Sequence, residues 1–351
     1  MFWDGTMKTE LKAVKKLLSH QPQLRQDLTS GDWVLFSPKR GSRPYQFRSG
    51  EKTPRVPKSQ CIFETPEKAS GGKVIASYPN LEKWRMQVIP NKYPVVLDND
   101  QKAKIRKNGP YNYIEGYGHH ELVITKDHDT NLTKLPIADV DMLFNAFRER
   151  YRAIAEDKNT AYISIFQNWG PKTGASIYHP HYQILSTPIL PPATDRSLSN
   201  SRKFHYKHKK CAHCDQIKMA RKNRRVLYED SLAMVFAPYA PKEPFEFRVS
   251  PKAHSPYFED ASGGEVHSVI KGLQTTLRKL ERLSKNLNYN LYIHTTPVKN
   301  KKLYGFYHWH IQVVPREITP HLGVTGGFEL TTGIEINSVL PEDSVKMLKD
   351  R

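Results

Sequence analysis

The 351 residues, 38% of them hydrophobic, are enough for one large or two ordinary domains with a buried core. Without an apolar run of about 18 residues or a signal-peptide core, and with only three cysteines, the chain is expected to be a cytoplasmic protein that has no membrane partner and no disulfide framework. A net charge of +19 favours anionic partners, whether nucleotide-sugars, nucleic acid or acidic surfaces, and composition does not choose among them.

The first predicted element is a short apolar strand that runs into a basic turn, residues 32–44. Two arginines, Arg40 and Arg43, lie in this turn. A guanidinium group can hold a phosphate through two parallel hydrogen bonds, so both are candidate phosphate ligands. Two solvated arginines are the plainer interpretation of the same turn.

Apolar residues at helical spacing predict a helix before the central motif. They form one face, which consists of Val140, Leu143, Phe144, Phe147, Tyr151 and Ile154. The helix leads into a predicted strand, residues 161–167, and then into the segment 174–183. We interpret this helix as scaffold.

The central segment places two histidines and a glutamine in alternation. If residues 178–184 form a strand, His179, His181 and Gln183 share one face, and the other face consists of Tyr178, Tyr182 and Ile184. Alternate residues lie about 7 Å apart, so one histidine can bind a metal while the next reaches a substrate. The Gly-Ala-Ser run that ends at Ser176 offers N–H groups and a hydroxyl to an anion. Ordinary strand histidines with hydrogen-bonded rings are the alternative.

After a linker-like segment, residues 188–200, the same order of motifs begins again, which predicts two halves, residues 1–195 and 196–351. The second half has its own helix, with an apolar face of Val269, Leu273, Leu277, Leu280 and Leu287, and a strand at residues 290–294. Its final motif again alternates two histidines and a glutamine, but no Gly-Ala-Ser loop precedes His310.

Two thiols and two imidazoles in the second half form the ligand set of a closed structural zinc site: Cys211, Cys214, His254 and His308. A DNA-binding zinc finger is the rival interpretation, because residues 202–225 are very basic. A finger requires histidines about 12 residues after the second cysteine, where Leu227 stands nearby instead. The spacing therefore favours a structural zinc ion.

The motifs, in this order, resemble the galactose-1-phosphate uridylyltransferases and their nucleotide-sugar phosphorylase relatives in the histidine-triad superfamily. The resemblance spans about residues 31–347 and is most specific in GASIYHPHYQI, residues 174–184, preceded by Asn168. It implies an α+β homodimer in which each chain has two tandem histidine-triad-like halves, each a mostly antiparallel sheet packed with helices. Its implied partners are a nucleotide-sugar and a sugar phosphate or inorganic phosphate, and we do not expect nucleic acid.

The resemblance assigns the chemistry to the first half. His181 would attack the α-phosphorus of a nucleotide-sugar, release sugar 1-phosphate and carry the nucleotidyl group, with a backbone carbonyl orienting its ring. Gln183 and Ser176 would hold phosphoryl oxygens. Substrate-binding roles are implied for the other matched residues: Arg40, Arg43, Asn91, Asn168 and Glu329.

A second metal site is implied in the first half by the same resemblance. Its ligands would be Cys61, Glu64, His128 and His179. Because Glu64 stands where many relatives carry a second cysteine, the set could hold zinc or stay empty. His119 and His120 are the alternatives to His128.

Three functions remain open from the sequence. The first is transfer of a nucleoside monophosphate, with UMP favoured, between a nucleotide-sugar and a hexose 1-phosphate. The second is a phosphorylase of nucleotide-sugars (the ADP-glucose type) or of dinucleoside polyphosphates, with inorganic phosphate as acceptor. The third is a non-catalytic, zinc-containing nucleotide- or RNA-binding module. Two positions differ from the family pattern: Glu335 stands where relatives carry glutamine, and Tyr182 stands where they carry glycine or serine. The identity of the sugar, the base and the acceptor therefore stays open.

Overall fold

The computed structural model describes residues 21–42, 55–284, 286–316 and 326–350. The strands are β1 (Gln23–Gln26), β2 (Trp33–Phe36), β3 (Ala76–Tyr78), β4 (Met86–Pro90), β5 (Arg106–Asn108), β6 (Tyr111–Tyr113), β7 (His120–Thr125), β8 (Tyr162–Trp169), β9 (His181–Thr187), β10 (Val226–Glu229), β11 (Ala233–Phe236), β12 (Phe247–Pro251), β13 (Asn288–His294), β14 (His310–Arg316) and β15 (Glu335–Asn337). The helices are α1 (Pro66–Ala69), α2 (Ile137–Ala155), α3 (Pro192–His208), α4 (Ala212–Lys222), α5 (Gly263–Leu283), α6 (Gly327–Thr332) and α7 (Pro341–Lys349). The α+β class predicted from the sequence is confirmed.

A ten-stranded antiparallel sheet unites the two repeats, in the order β10-β11-β12-β14-β13-β8-β9-β7-β4-β3. Counted outward from the centre, the first half supplies β8, β9, β7, β4 and β3, and the second supplies β13, β14, β12, β11 and β10 in corresponding places. The halves meet where β8 pairs with β13, with Asn168 opposite Asn290. The predicted repeat is therefore present, but its two copies share one sheet.

One face of this sheet is apolar and is covered by α2 and α5. Tyr182 and Ile184 of β9 lie in the same buried cluster as the helix residues, so the predicted alternation along this strand is correct. All six apolar positions predicted for α2 are buried. Helix α5 begins at a capping box formed by Ser262 and Glu265 and ends at Leu283. Leu287, predicted on its apolar face, is buried in the turn before β13 instead.

The predicted linker at residues 188–200 is wrong, because α3 begins inside it at Pro192. Proline is favoured in the first turn of a helix, and the buried positions Thr194, Leu198 and Ser201 follow at helical spacing. Only one of these three is a large apolar residue, which explains why hydrophobic periodicity did not reveal the helix. A domain boundary at residue 195 stays a prediction, and α3 runs across it.

A three-stranded sheet, in the order β1-β2-β15, packs against the second half. Val34 and Phe36 of β2 form a buried cluster with Ala240 and Leu340. A buried ion pair also joins the segment after β1 to β12, with Arg248 Nη2 3.1 Å from an Asp27 carboxylate oxygen. Within the described residues, none of the helices combines the length and apolar character needed to cross a membrane.

Candidate active site and metal-binding clusters

The loop between β8 and β9 brings the central motif to the polar face of the sheet. Gly170 and Gly174 adopt φ values of 91° and 86°, a region that favours glycine, and a Cβ atom at Gly170 would lie 2.0 Å from Asn288 Oδ1. Strand β9 begins at His181, three residues later than predicted. Pro180 cannot donate to a strand ladder and restricts the residue before it, so the ladder starts only after the proline.

His181 is held in one tautomer. Its Nδ1–H donates to the carbonyl oxygen of His179 at 2.9 Å, which leaves Nε2 with a lone pair. The ring is 8% exposed and its edge meets Phe63, with the ring centroids 5.1 Å apart. Burial lowers the pKa of His181, so the ring is neutral near pH 7. A neutral imidazole with one fixed N–H is the form that can act as a nucleophile.

Gln183, two residues further along β9, has its amide oriented by His120. The His120 Nε2–H donates to Gln183 Oε1 at 2.9 Å, because His120 Nδ1 accepts from the backbone N–H of Val95 at 3.3 Å. With its oxygen occupied, Gln183 has its NH₂ left as a donor. Sequence reasoning weighed His120 only as a metal ligand, since the pairing of β7 with β9 that explains its role is a tertiary feature.

Two concave surfaces lie beside the loop between β8 and β9, and the residues that line them include none of β9. A groove of about 380 Å³ runs over the seam between the halves and is lined by Ser164, Phe166, Asn168, Thr173, Asn290, Leu291, Tyr292 and Arg316. Phe166 pairs with Gln183, and residues two apart on a strand share a face, so Asn168 lies on the same face of the sheet as Gln183. A second cavity, of about 440 Å³, includes Ser176, which is exposed, along with Arg55, Lys134, Tyr178 and Glu281.

Two sequence-predicted binding residues, Arg40 and Glu329, lie away from β9. Arg40 is exposed on the 3₁₀ turn Pro38–Ser42 after β2, and Glu329 accepts a hydrogen bond from the Gly326 N–H at the start of its own helix, α6. Within the described ranges, neither makes a hydrogen bond or ion pair with a residue of β9. Arg43 lies outside the described residues.

The second half brings together its four predicted metal ligands, and their donor atoms all lie within 4.8 Å of one another. Cys214 Sγ is 3.5 Å from His254 Nδ1 and 3.4 Å from His308 Nδ1. Ligand atoms bound to a tetrahedral zinc ion are roughly 3.3–3.8 Å apart, so this spacing fits the metal. The other ring nitrogen of His254 donates to Gly305 O at 2.7 Å. Hydrogen bonds from Cys214, His254 and His308 lower the pKa of Cys211, which favours a thiolate.

In the first half, Cys61, His128 and His179 form a looser set, also with donor atoms within 4.8 Å. His179 Nδ1 lies 3.6 Å from Cys61 Sγ and 3.6 Å from a Glu64 oxygen, and its Nε2–H donates to Thr125 O at 2.6 Å. Burial raises the pKa of Cys61, in contrast to Cys211. The geometry selects His128 over its two alternatives, since His120 orients Gln183 and His119 pairs with Asp157 at 2.7 Å.

The second-half counterpart of His181 is closed off. His310 is 3% exposed, stacks on His294 with ring centroids 4.5 Å apart and lies 4.9 Å from the His213 ring. Gln312, the counterpart of Gln183, accepts from His294 and donates to Glu246 at 2.7 Å. The Gln312 amide is therefore already hydrogen-bonded through its oxygen and its nitrogen, and His310 is enclosed by two other rings, which argues against substrate binding there.

Comparison with known proteins links these features to one family. Residues 13–191 match the family described as galactose-1-phosphate uridyl transferase, N-terminal domain. ADP-glucose phosphorylase of Arabidopsis thaliana is 31% identical over 345 residues, covering 95% of this chain and 93% of that protein. Galactose-1-phosphate uridylyltransferase of Thermotoga maritima is 25% identical over 331 residues, covering 93% and 98%.

Solved structures agree with the sequence matches. The structure of ADP-glucose phosphorylase from Arabidopsis thaliana with bound ADP-glucose is similar to this chain with a TM-score of 0.80 and 29% identity, covering 94% of this chain and 99% of that one. A uridylyltransferase structure has a TM-score of 0.71 and 25% identity, covering 94% and 98%. The similarity thus includes both halves and the seam between them.

Proposed function

The chain belongs to the galactose-1-phosphate uridyl transferase family, and from this premise we propose that it transfers a nucleoside monophosphate from a nucleotide-sugar through a nucleotidyl-histidine on His181. The state of the His181 ring carries the proposal. Its Nδ1–H is bonded to the His179 carbonyl and its burial keeps it neutral, so Nε2 is the nucleophilic atom.

The reaction has two steps. First, Nε2 of His181 bonds to the α-phosphorus while the bond from that phosphorus to the bridging oxygen breaks, and sugar 1-phosphate leaves with the electron pair. Then an acceptor oxygen bonds to the same phosphorus while the phosphorus–Nε2 bond breaks, and its electron pair returns to the ring, which is neutral again. The NH₂ of Gln183 and the hydroxyl of Ser176 would hold phosphoryl oxygens, where donors fixed in advance stabilise the transition state most.

The acceptor separates the two enzymatic candidates. The 31% identity to ADP-glucose phosphorylase, against 25% to the uridylyltransferase, favours inorganic phosphate as acceptor and an adenine nucleotide-sugar as donor. UMP transfer to hexose 1-phosphate, which sequence reasoning put first, is the second candidate and is supported by the family itself. A non-catalytic module explains neither the relatives nor the fixed tautomer of His181.

Zinc would have a structural role in the second half, held by Cys211, Cys214, His254 and His308, where the spacing of the donor atoms fits it. The first-half set, completed by Glu64, fits less closely because that carboxylate is 32% exposed and lies outside the tight group. Three cysteines that form no disulfide suit a reducing, cytoplasmic location.

A homodimer would bring Arg40 and Glu329 to a cleft. Both lie on or beside the three-stranded sheet, and neither contacts β9 within the part of the chain that the structure describes. Light scattering tests the dimer. Mixing His181→Ala with Arg40→Ala protein tests the shared site, because activity should return only if each cleft takes Arg40 from a second chain.

The decisive experiment uses donors labelled at the α-phosphate. Wild-type protein should acquire acid-labile label from ADP-glucose or UDP-glucose without acceptor, and His181→Ala protein should not. A chase with phosphate or with galactose 1-phosphate then identifies the acceptor. A panel of nucleotide-sugars and dinucleoside polyphosphates that leaves wild-type protein unlabelled would overturn the proposed function.

A further inference from the structure

Asn168 in the candidate active site is held by a residue of the other half of the chain. Asn290 lies directly opposite it on β13, and Asn290 Nδ2 donates to Asn168 Oδ1 at 2.8 Å and to Thr173 O at 3.1 Å. On its other side, Asn290 Oδ1 accepts from Arg316 Nε at 3.0 Å. Arg316 is fixed in turn by Glu243, with Nη1 2.7 Å from a carboxylate oxygen.

These partners determine which way both amides point. The Thr173 carbonyl can only accept and the Arg316 Nε–H can only donate, so Asn290 satisfies both in one orientation alone. Asn290 must then donate to Asn168, and this hydrogen bond turns the side-chain oxygen of Asn168 toward the seam. The Asn168 NH₂ is left on the side of the Gly-Ala-Ser loop, where a Cβ atom at Gly174 would lie 3.9 Å from its nitrogen.

We propose that Asn290 is a positioning residue that fixes Asn168 as a hydrogen-bond donor to the phosphoryl group. This role rests on the proposed function, because a fixed donor is useful where negative charge develops on oxygen. It parallels the first half, where His120 occupies the Gln183 oxygen and leaves the NH₂ as the donor. The second half therefore contributes to the reaction although its own His310 is closed off.

Substitution of Asn290 tests this role. In Asn290→Asp, the carboxylate can still accept from Arg316 but has no donor, so Asn168 should rotate and present its oxygen to the phosphoryl group. Removing one fixed donor of this kind lowers kcat by about 10²–10³-fold, and displacing one should lower it by roughly 10–100-fold, with a smaller change in KM. Asn290→Ala should act in the same direction and serves if the aspartate variant folds poorly.

The matched control is Asn145→Asp, which makes the same chemical change at an exposed position on α2, behind the apolar face of the sheet. Thermal unfolding of every variant separates lost activity from lost fold. The control should label at the wild-type rate.

A double-mutant cycle shows whether Asn290 acts through Asn168. If it does, Asn168→Ala combined with Asn290→Asp should label no more slowly than the slower single variant. Losses that multiply, or a wild-type rate in folded Asn290→Asp and Asn290→Ala, would overturn this role while the proposed function stands. Wild-type protein that acquires no label from any donor would remove the proposed function and this role together.

Discussion

Replacing the two strand-initial histidines separately distinguishes a chemical role from a structural one. His181→Ala should reduce formation of protein-bound label by about 10⁴-fold or more, as expected for loss of a covalent nucleophile. Its effect on folding should be small. Among the described residues, the ring donates a hydrogen bond to His179 O at 2.9 Å, worth about 1 kcal/mol, and makes an edge contact with Phe63, worth about 1 kcal/mol. A loss of about 2 kcal/mol lowers Tm by only a few degrees.

His310→Ala is the matched control, because both rings donate from Nδ1 to the carbonyl two residues earlier. The His310 ring is packed between His294 and His213, at 4.5 and 4.9 Å. Its removal leaves a cavity and should cost about 3–4 kcal/mol of unfolding free energy, by analogy with other large-to-small core substitutions. The protein that remains folded should label at the wild-type rate.

The assay measures acid-labile label from α-phosphate-labelled ADP-glucose, at a temperature where circular dichroism shows both variants folded. Retained labelling in His181→Ala would refute the assignment of the nucleophile. Equal losses of labelling in the two folded variants would refute the argument that burial closes the second-half site.

Three further predictions concern stability. Cys211→Ser should remove one zinc ion per chain and lower Tm strongly, since structural zinc contributes folding energy; wild-type protein free of zinc by elemental analysis would contradict this. Asp27→Asn leaves the buried Arg248 guanidinium without its anion and should cost about 3–5 kcal/mol in chemical denaturation, with labelling unchanged. Burial raises the pKa of Glu243 from 4.5 to about 7, with Glu246 and Glu335 adding to the rise and Arg316 opposing it. The folded state then keeps a proton that the unfolded state releases, so stability present below pH 4.5 is lost as pH rises to about 7. Glu243→Gln protein should therefore show a smaller change of Tm with pH between about 4.5 and 7 than wild-type protein. The same dependence of Tm on pH in both proteins would exclude the Glu243 carboxyl group as its cause.

Features that depend on neighbouring residues were predictable from the sequence. The apolar face of α2 follows from helical periodicity, and the opposite placement of Tyr182 and Gln183 follows from strand alternation. The cysteines and histidines of the second-half cluster were also identifiable, because metal ligands are limited to a few residue types. The predicted start of β9 was wrong because strand alternation alone was considered at residue 178. Pro180 cannot donate to the strand ladder, so β9 begins only at His181.

By itself, the sequence determined the repeat and the chemical groups available at the site, since these depend on residue types and short-range spacing, and its resemblance to the family implied the α+β class. Only the tertiary structure decided how the groups are used. Pairing of β7 with β9 makes His120 the partner of Gln183, and pairing of β8 with β13 makes Asn290 the partner of Asn168. Neither pairing has a signal in local sequence, because Asn168 and Asn290 are separated by 122 positions and meet only when the two halves share one sheet.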